Sequence, residues 1–392
     1  MKKINAIIKQ PKYYDKFKCI GGECPASCCV GWDIFWKKDE INKLKECNCS
    51  EKLTELINTS FVPSNDIDRY TIALRPNGEC PFLTEEKLCL IQKEQGEEYL
   101  SEICTVYPRL SNCIYNIATK LCTTSCYAVL DLICHDESSM DIYMREWKGE
   151  MLLTNRFKEN DIEQHPELLH LNAIFDFLYN IMLDKKHDIE TSIILAALAA
   201  KKISEFAEDG KADMIPEVIE KLKPQLKDKA QIESINNIKP NYTFSIGVVN
   251  DILMKMYGSN VLLPLYTDGI ADVDKYKTGM AKFKEFFAEN SYAVKNIILN
   301  LFMEFFTAYY NKEYTIYDNF LYFVVSAASA KLVAASTGYA CRTEKHAQEE
   351  FLRSQAVIAH SFVSNRAMID IITNYLKAQK WHTIGYLASM IK

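Results

Sequence analysis

The stretch CIGGECPASCC, residues 19–29, puts four thiols into eleven residues. Cysteine packs as a small apolar residue that others can replace, so such crowding points to its chemistry. That chemistry is disulfide formation, metal binding or nucleophilic attack. Further on, GECPFLTEEKLCLIQ supplies Cys80 and Cys89, SEICTVYPRLSNC supplies Cys104 and Cys113, and LCTTSC supplies Cys122 and Cys126. Of 14 cysteines, only Cys341 lies outside the span Cys19–Cys134.

Clustered thiols in a reducing compartment favour metal over disulfides. Iron–sulfur clusters are commonly held by four cysteine thiolates, and structural zinc takes four ligands. The clustered thiols are too many for one such site, so either two centres exist or some are bystanders. No pair is spaced as a zinc knuckle with two intervening residues, and no histidine falls between Cys19 and Cys134. The pattern reads as an all-thiolate centre compatible with iron–sulfur, although spacing does not fix the metal. Cys24 and Cys28 are one helical turn apart. Adjacent Cys28 and Cys29 cannot share a face on a regular helix, so they serve different sites or sit on a bent loop. Gly21, Gly22 and Pro25 favour an irregular loop. Cys47 and Cys49, in the charged KLKECNCS, read as bystanders.

The elements that position these thiols change character near residue 145. Before it, short helices are expected from Asp39 and after an N-cap at Ser50, a strand over 69–75, a turn at Pro76-Asn77-Gly78, and a helix over 90–104 ended by Pro108. Beyond it, apolar residues recur at three and four, the signature of helices packed on one another. Helices are expected over 165–183, over 190–209 with Gly210 at the C-terminal end, and from 279 onward, with Pro224 interrupting another. The fold expected is mainly α: an irregular cysteine-rich metal-binding region with short helices and a small hairpin (residues 1–145), then an all-helical bundle (146–392).

A net charge of −6 and pI near 5.8 argue against a general nucleic-acid binder. The apolar stretch Ile4–Ile8 is broken by Asn5 and falls short of a leader's ~7–15 apolar residues, so the start reads as mature and cytosolic. FLYFVVSAASA (320–330) is shorter than the ~20 residues of a membrane span and reads as a buried helix. The six histidines from His165 onward scatter along helices and read as surface or satisfied interior residues.

FKCIGGECPASCCVGWDI, GECPFLTEEKLCLIQ, LSEICTVYPR and TSCYAVL, in that order, resemble the flagellin lysine-N-methylase family and, more broadly, the zinc- or iron-chelating cysteine-cluster proteins. The resemblance runs from about Pro11 to Leu130. It implies a cytoplasmic enzyme that uses S-adenosylmethionine, depends on an iron–sulfur cluster (4Fe-4S), and methylates lysines of flagellin. The family pattern falls on Cys19, Cys24, Cys28, Cys29, Cys80, Cys89, Cys104 and Cys126 as metal ligands, and on Trp32, Pro81, Gln92, Pro108 and Arg109. Arg109 is the candidate contact to the cofactor's carboxylate, which guanidinium geometry suits. Cys113, Cys122 and Cys134 lie outside the match.

Two negatives stand beside it. There is no GxG, so no doubly wound nucleotide loop is visible, and no C-x3-C-x2-C stretch of radical S-adenosylmethionine enzymes. No catalytic constellation is legible; Asp33, Tyr107 and Tyr127 are candidate bases for deprotonating a lysine. The alternatives are a non-enzymatic zinc- or iron-binding module and an iron–sulfur electron carrier.

Overall fold

The computed structural model describes residues 2–392 except 32–33, 65–68, 115–116, 152, 154, 158, 258–265, 268–269, 309 and 365–367. Trp32 and Asp33 thus lie outside the described residues.

The chain opens as a strand. Lys3, Asn5 and Ile7 are exposed while Ala6 and Ile8 are buried, the period-two alternation of a half-buried strand, and β1 spans Lys2–Pro11. The chain then leaves this strand to build a small lobe. In order, the lobe holds β2 (Phe35–Lys37), α1 (Lys38–Lys45), α2 (Glu51–Thr59), β3 (Phe61–Pro63), β4 (Arg69–Ile72), α3 (Leu90–Gln95) and α4 (Glu102–Val106). The strands form an antiparallel sheet ordered β2-β4-β3. Ser50 caps α2 as expected, its hydroxyl accepting from the Leu53 N–H at 3.1 Å. Trp36, Leu44, Leu53, Ile57, Phe82 and Ile91 anchor a core that belongs to this lobe.

The helix expected over 90–104 is not continuous. Gly96 has φ +92°, a conformation closed to most L-residues, and the chain there breaks into α3, a 3-10 turn and α4. The glycine ends the helix.

The chain next returns to the first sheet through β5 (Arg109–Ile114), β6 (Ile117–Cys122), α5 (Tyr127–Cys134), β7 (Ile142–Met151) and β8 (Asn155–Arg156). The strand order is β7-β1-β6-β5-β8, with β1 antiparallel to β7 and parallel to β6. This mixed sheet goes beyond the small hairpin read from the sequence. The change of character near residue 145 falls within β7.

Apart from a two-stranded antiparallel pair, β9 (Tyr266–Thr267) and β10 (Ile270–Ala271), the remainder is helical: α6 (Glu159–Gln164), α7 (Leu171–Leu183), α8 (Ile189–Glu208), α9 (Ile215–Gln225), α10 (Lys229–Asn236), α11 (Tyr242–Tyr257), α12 (Val273–Phe286), α13 (Ala293–Met303), α14 (Ile316–Ala340), α15 (Glu344–Ser364), α16 (Met368–Ala378) and α17 (Ile384–Ile391). Gly210, at φ +72°, follows the end of α8 as expected. Pro224 sits inside the last turn of α9. α14 is long and apolar enough to cross a bilayer, but its most apolar stretch is wholly buried among other helices. It is the central pole of the body. α12 crosses α14 backbone to backbone: a Cβ on Gly338 would lie 2.0 Å from the Gly279 carbonyl oxygen, and one on Gly279 would lie 2.0 Å from that of Ala335. The main core takes in these helices, α5, Tyr13 and Leu121, so part of the first sheet and the helices share one interior.

Candidate thiol site between the small lobe and the helical body

Backbone pairing gathers one set of cysteines inside the small lobe. The Cys80 N–H donates to the Cys29 carbonyl at 2.8 Å, and Val30 bridges Glu79. Leu83 bridges Cys89, and the Leu90 N–H donates to the Phe82 carbonyl at 2.8 Å. Cys104 sits on α4, where the Ser101 hydroxyl caps its N–H at 3.2 Å. Glu40 of α1 holds that helix by accepting from the Glu102 N–H at 2.9 Å. Cys29, Cys80, Cys89 and Cys104 all pack into or against the core of the lobe.

Their thiols feel one another's charge. Burial, with the charges of Cys29, Cys89 and Cys104 behind it, pushes the Cys80 thiol up to about 12. Burial likewise pushes Cys104 up to about 12, with Cys29 and Cys89 adding. Cys89 is raised by burial and by Cys29. Cys29 is lowered to about 7, chiefly by the hydrogen bond from the Cys28 thiol. Every pair among these four sulfurs is within electrostatic reach.

A second set surrounds the loop that opens the lobe. Gly21, at φ +58°, turns the chain, and a Cβ on Gly22 would stand 2.6 Å from the Glu86 carbonyl oxygen. This contact seats the loop carrying Cys19 and Cys24 on the turn between Cys80 and Cys89. The Cys24 thiol donates to the Ala26 carbonyl at 3.2 Å. Ala26 and Cys126 pack against the main core, and Cys126 is the residue just before α5, at its N-cap. Burial raises Cys126 to about 11, with Cys24 and Cys19 adding. Cys24 is raised by burial and, further down, by Cys19. Cys28 is exposed as a residue, but its sulfur faces its neighbours: its hydrogen bond to Cys29 and burial raise it most, with Cys126 and Cys104 contributing.

The eight cysteines of the sequence pattern therefore lie on adjoining segments, with Cys28 between Cys126 on one side and Cys29 and Cys104 on the other. The remaining cysteines go elsewhere. Cys47 and Cys49 are joined in a disulfide, so the two residues read as bystanders pair with each other. Cys122 and Cys134 are fully buried in the main core, Cys113 packs in the small core under β1, and Cys341 is buried. Among the described residues, no three His, Cys, Asp or Glu side chains form a ready metal-holding group. The thiols are gathered without being closed. As a donor set they fit a thiolate-preferring metal or an iron–sulfur cluster, because soft ligands arrive from several segments with no competing imidazole.

The turn leading to Cys126 is clamped from the helical body. Asn296, Asn300 and Glu304 lie four residues apart and face one way. The Cys122 N–H donates to the Tyr13 hydroxyl at 2.9 Å, and that hydroxyl donates to Asn300 Oδ1 at 2.6 Å. Asn300 Nδ2 donates to the Cys122 carbonyl at 2.9 Å and to Glu304 Oε1 at 2.8 Å. Glu304 also accepts from the Thr124 N–H at 2.6 Å and the Thr123 hydroxyl at 3.0 Å. Asn296 Nδ2 donates to the Ile133 carbonyl at 2.9 Å. Glu304 opens a π-helical turn, Glu304–Ala308, directly after α13. Sequence reasoning missed this clamp. Its signal was a glutamate inside the apolar run NLFMEFF, which folding must either expose or satisfy.

Arg109 begins β5 opposite Cys122, with its guanidinium 4.9 Å over the Phe17 ring and its surface exposed. Its charge lowers the Cys122 thiol, against a larger rise from burial. The Tyr107 hydroxyl hydrogen-bonds with that of Ser125 at 3.1 Å, and Tyr127 is half-buried at the start of α5. Pro108 follows α4, and its carbonyl accepts from the Thr123 N–H at 2.9 Å. The Pro81 carbonyl accepts from Arg75 at 2.8 Å, and the Gln92 side chain is exposed on α3. Both belong to local turn geometry. A cleft of about 480 Å³ opens between α7 and α9, lined by residues including Asp176, Asp184, His187 and Glu220, and none of the cysteines lines it.

Residues 175–390 match the model of the FliB lysine N-methylase C-terminal domain. The chain is 29% identical over 135 residues to the flagellar biosynthetic protein FliU of Salmonella muenchen, covering 34% of this chain and 80% of that protein. It is 27% identical over 135 residues to a lysine-N-methylase of Salmonella typhimurium and to another of Salmonella choleraesuis, covering 34% of each chain. The alignment thus spans about a third of the length of those two lysine-N-methylases. No solved structure matches. Since the family model covers more than half of the 392 residues, the chain belongs to the FliB lysine N-methylase family.

Proposed function

We propose that this chain is a protein lysine N-methyltransferase that uses S-adenosylmethionine, carries a cysteine-ligated iron–sulfur cluster, and acts on flagellin in the cytoplasm. The observation that carries the reading is the meeting of the eight pattern cysteines beside a helical body of the lysine N-methylase family. The names of the relatives, which speak of flagellar biosynthesis and lysine methylation, support the substrate.

Cys19, Cys24, Cys28, Cys29, Cys80, Cys89, Cys104 and Cys126 are the ligand set from which a cluster, 4Fe-4S in type, is held. Such a cluster, once bound, supplies an electron source or a Lewis-acidic iron. Arg109 holds the carboxylate of the cofactor: it is exposed, fixed over Phe17, and paired across the sheet with Cys122, at the start of the turn that leads to Cys126. The target amine, with an ordinary pKa of about 10.4, must lose its proton before a polar displacement, through desolvation or a neighbouring base. Tyr107 and Tyr127 are the described candidates for that base. In this reading residues 1–145 carry the thiol chemistry and 146–392 the helical body that orients it.

The test is anaerobic incubation of reconstituted protein with flagellin and methyl-labelled S-adenosylmethionine, followed by digestion. Methyl-lysine peptides are expected. Bound iron without any labelled peptide would support the electron-carrier alternative, and zinc without cofactor binding would support the structural module.

A further inference from the structure

We infer that the outer face of the first sheet, where Arg145 of β7 and Lys120 of β6 flank the Trp147 ring, is a docking surface for an acidic, extended segment of the protein substrate. The inference rests on the proposed function for the source of that segment, and it names a feature the substrate must carry.

The sheet has two unlike faces, because side chains alternate along each strand. Lys9 of β1 points to the helical body, where its Nζ meets Asp176 of α7 at 2.5 Å. Its neighbour Ile8 lies on the opposite face with Ala6 and Ala118, in a small core of their own that Trp147 packs against. Ala6 pairs with Trp147 and Ile8 with Arg145, so Arg145 shares that face. Lys120 follows Ala118 by two residues on β6 and shares it too.

The face is cationic. The Lys120 ammonium stands 4.4 Å from the Trp147 ring centroid and 5.7 Å from that of Tyr14. The Arg145 guanidinium stands 5.8 Å from the Trp147 centroid. Arg109 on β5 extends the row. Among the described residues, Asp15 is the carboxylate that offsets them, 3.7 Å from Arg145, and it also accepts from the Tyr143 hydroxyl. Lys120 is held below its ordinary value by burial first, and then by Arg145 and Arg109. One carboxylate thus answers three cations, in a chain whose net charge is −6. An excess of one sign on one face selects a partner of the other sign.

Guarding of an exposed sheet edge does not account for the row. Charged side chains do protect edge strands, and Glu146, Lys148 and Glu150, alternating with Arg145 and Trp147 along β7, suit that duty. Lys120 and Arg109 lie on β6 and β5, inside the strand order, where no edge needs a guard.

The spacing fits a peptide. β7 and β6 are two strand spacings apart, about 10 Å. An extended chain returns side chains to one side about every 7 Å, so carboxylates at alternate or every third position reach both cations. Arg109, the cofactor contact, ends the row, so a segment docked on Arg145 and Lys120 runs toward the cofactor.

The experiment uses the full chain, purified without oxygen, and the fluorescence anisotropy of a labelled synthetic peptide alternating glutamate and serine. Its glutamine counterpart and a single-stranded DNA oligonucleotide are the comparison probes. Wild type is expected to bind the glutamate peptide at least tenfold more tightly than the glutamine peptide, with affinity falling as salt rises. Lys120→Gln/Arg145→Gln is expected to lose at least tenfold in affinity for the glutamate peptide. Should that variant fail to fold, Arg145→Gln alone, at an exposed position, is expected to lose at least threefold. Equal binding of the two peptides, unchanged affinity in the folded variant, or tighter binding of the oligonucleotide overturns the inference. Selective binding of the glutamate peptide by a chain that transfers no methyl group would refute the proposed function and leave the docking surface standing. Methyl-lysine formed on flagellin by a chain that binds neither peptide would do the reverse.

Discussion

The Thr124 backbone N–H donates to Glu304 Oε1 at 2.6 Å, joining residues 180 positions apart. The contact fastens the turn that precedes Cys126 to the helical body, and the Glu304 residue is fully buried. Burial pushes the Glu304 carboxyl up to about 7 from an ordinary 4.5, against the hydrogen bonds from Thr124, Thr123 and Asn300 that pull it down. The folded protein thus holds this proton more tightly than the unfolded chain. Its contribution is fully present below the ordinary carboxyl range and is lost as pH rises from about 4.5 through about 7. The difference is on the order of 3 kcal/mol. Glu304→Gln mimics the protonated form and should flatten that dependence. Urea denaturation of both proteins at pH 5 and pH 8 checks it: the gap in stability should widen in favour of Glu304→Gln at the higher pH.

Tyr13→Phe removes the acceptor of the Cys122 N–H and the donor to Asn300 Oδ1, which stand at 2.9 and 2.6 Å. Both partners stay buried, so the loss should be about 1–3 kcal/mol. Chemical denaturation measures it.

The fold was legible where local signals agreed with tertiary packing. Ser50 capped its helix, Gly210 followed the end of α8, and the apolar run 320–330 became the buried centre of α14. The first strand escapes a reading that measures Ile4–Ile8 only against a leader; its signal is the alternation through Ile8. The break at Gly96 is a matter of backbone angle, which the sequence does not show. At the site, the order of the cysteines was legible but their grouping was not. Sequence spacing says nothing about which core a sulfur packs on, and the Asn296, Asn300 and Glu304 face is meaningful only once its partners near Cys122 are known.

Gly338→Ala tests the crossing of α12 on α14. The new methyl would meet the Gly279 carbonyl oxygen at 2.0 Å and the Phe283 backbone nitrogen at 2.7 Å. Neither backbone can yield without parting the helices, so a loss of about 3 kcal/mol is expected. Thermal unfolding should show a Tm lowered by several degrees, and a Tm equal to wild type would refute the close crossing.

Arg109→Ala should weaken S-adenosylmethionine binding at least tenfold while iron content stays as in wild type. Arg109→Lys keeps the charge but loses the planar fork and the stacking over Phe17, so an intermediate effect is expected. Calorimetry on the anaerobic protein, with parallel iron determination, separates a cofactor contact from a structural role.

The central claim is that thiol-bound metal in this chain serves lysine methylation. The most direct test compares wild type with Cys19→Ser/Cys126→Ser for label transfer from methyl-labelled S-adenosylmethionine to flagellin under anaerobic conditions. Labelled methyl-lysine with wild type and none with the variant is the expected result. Equal labelling by both proteins would contradict the account.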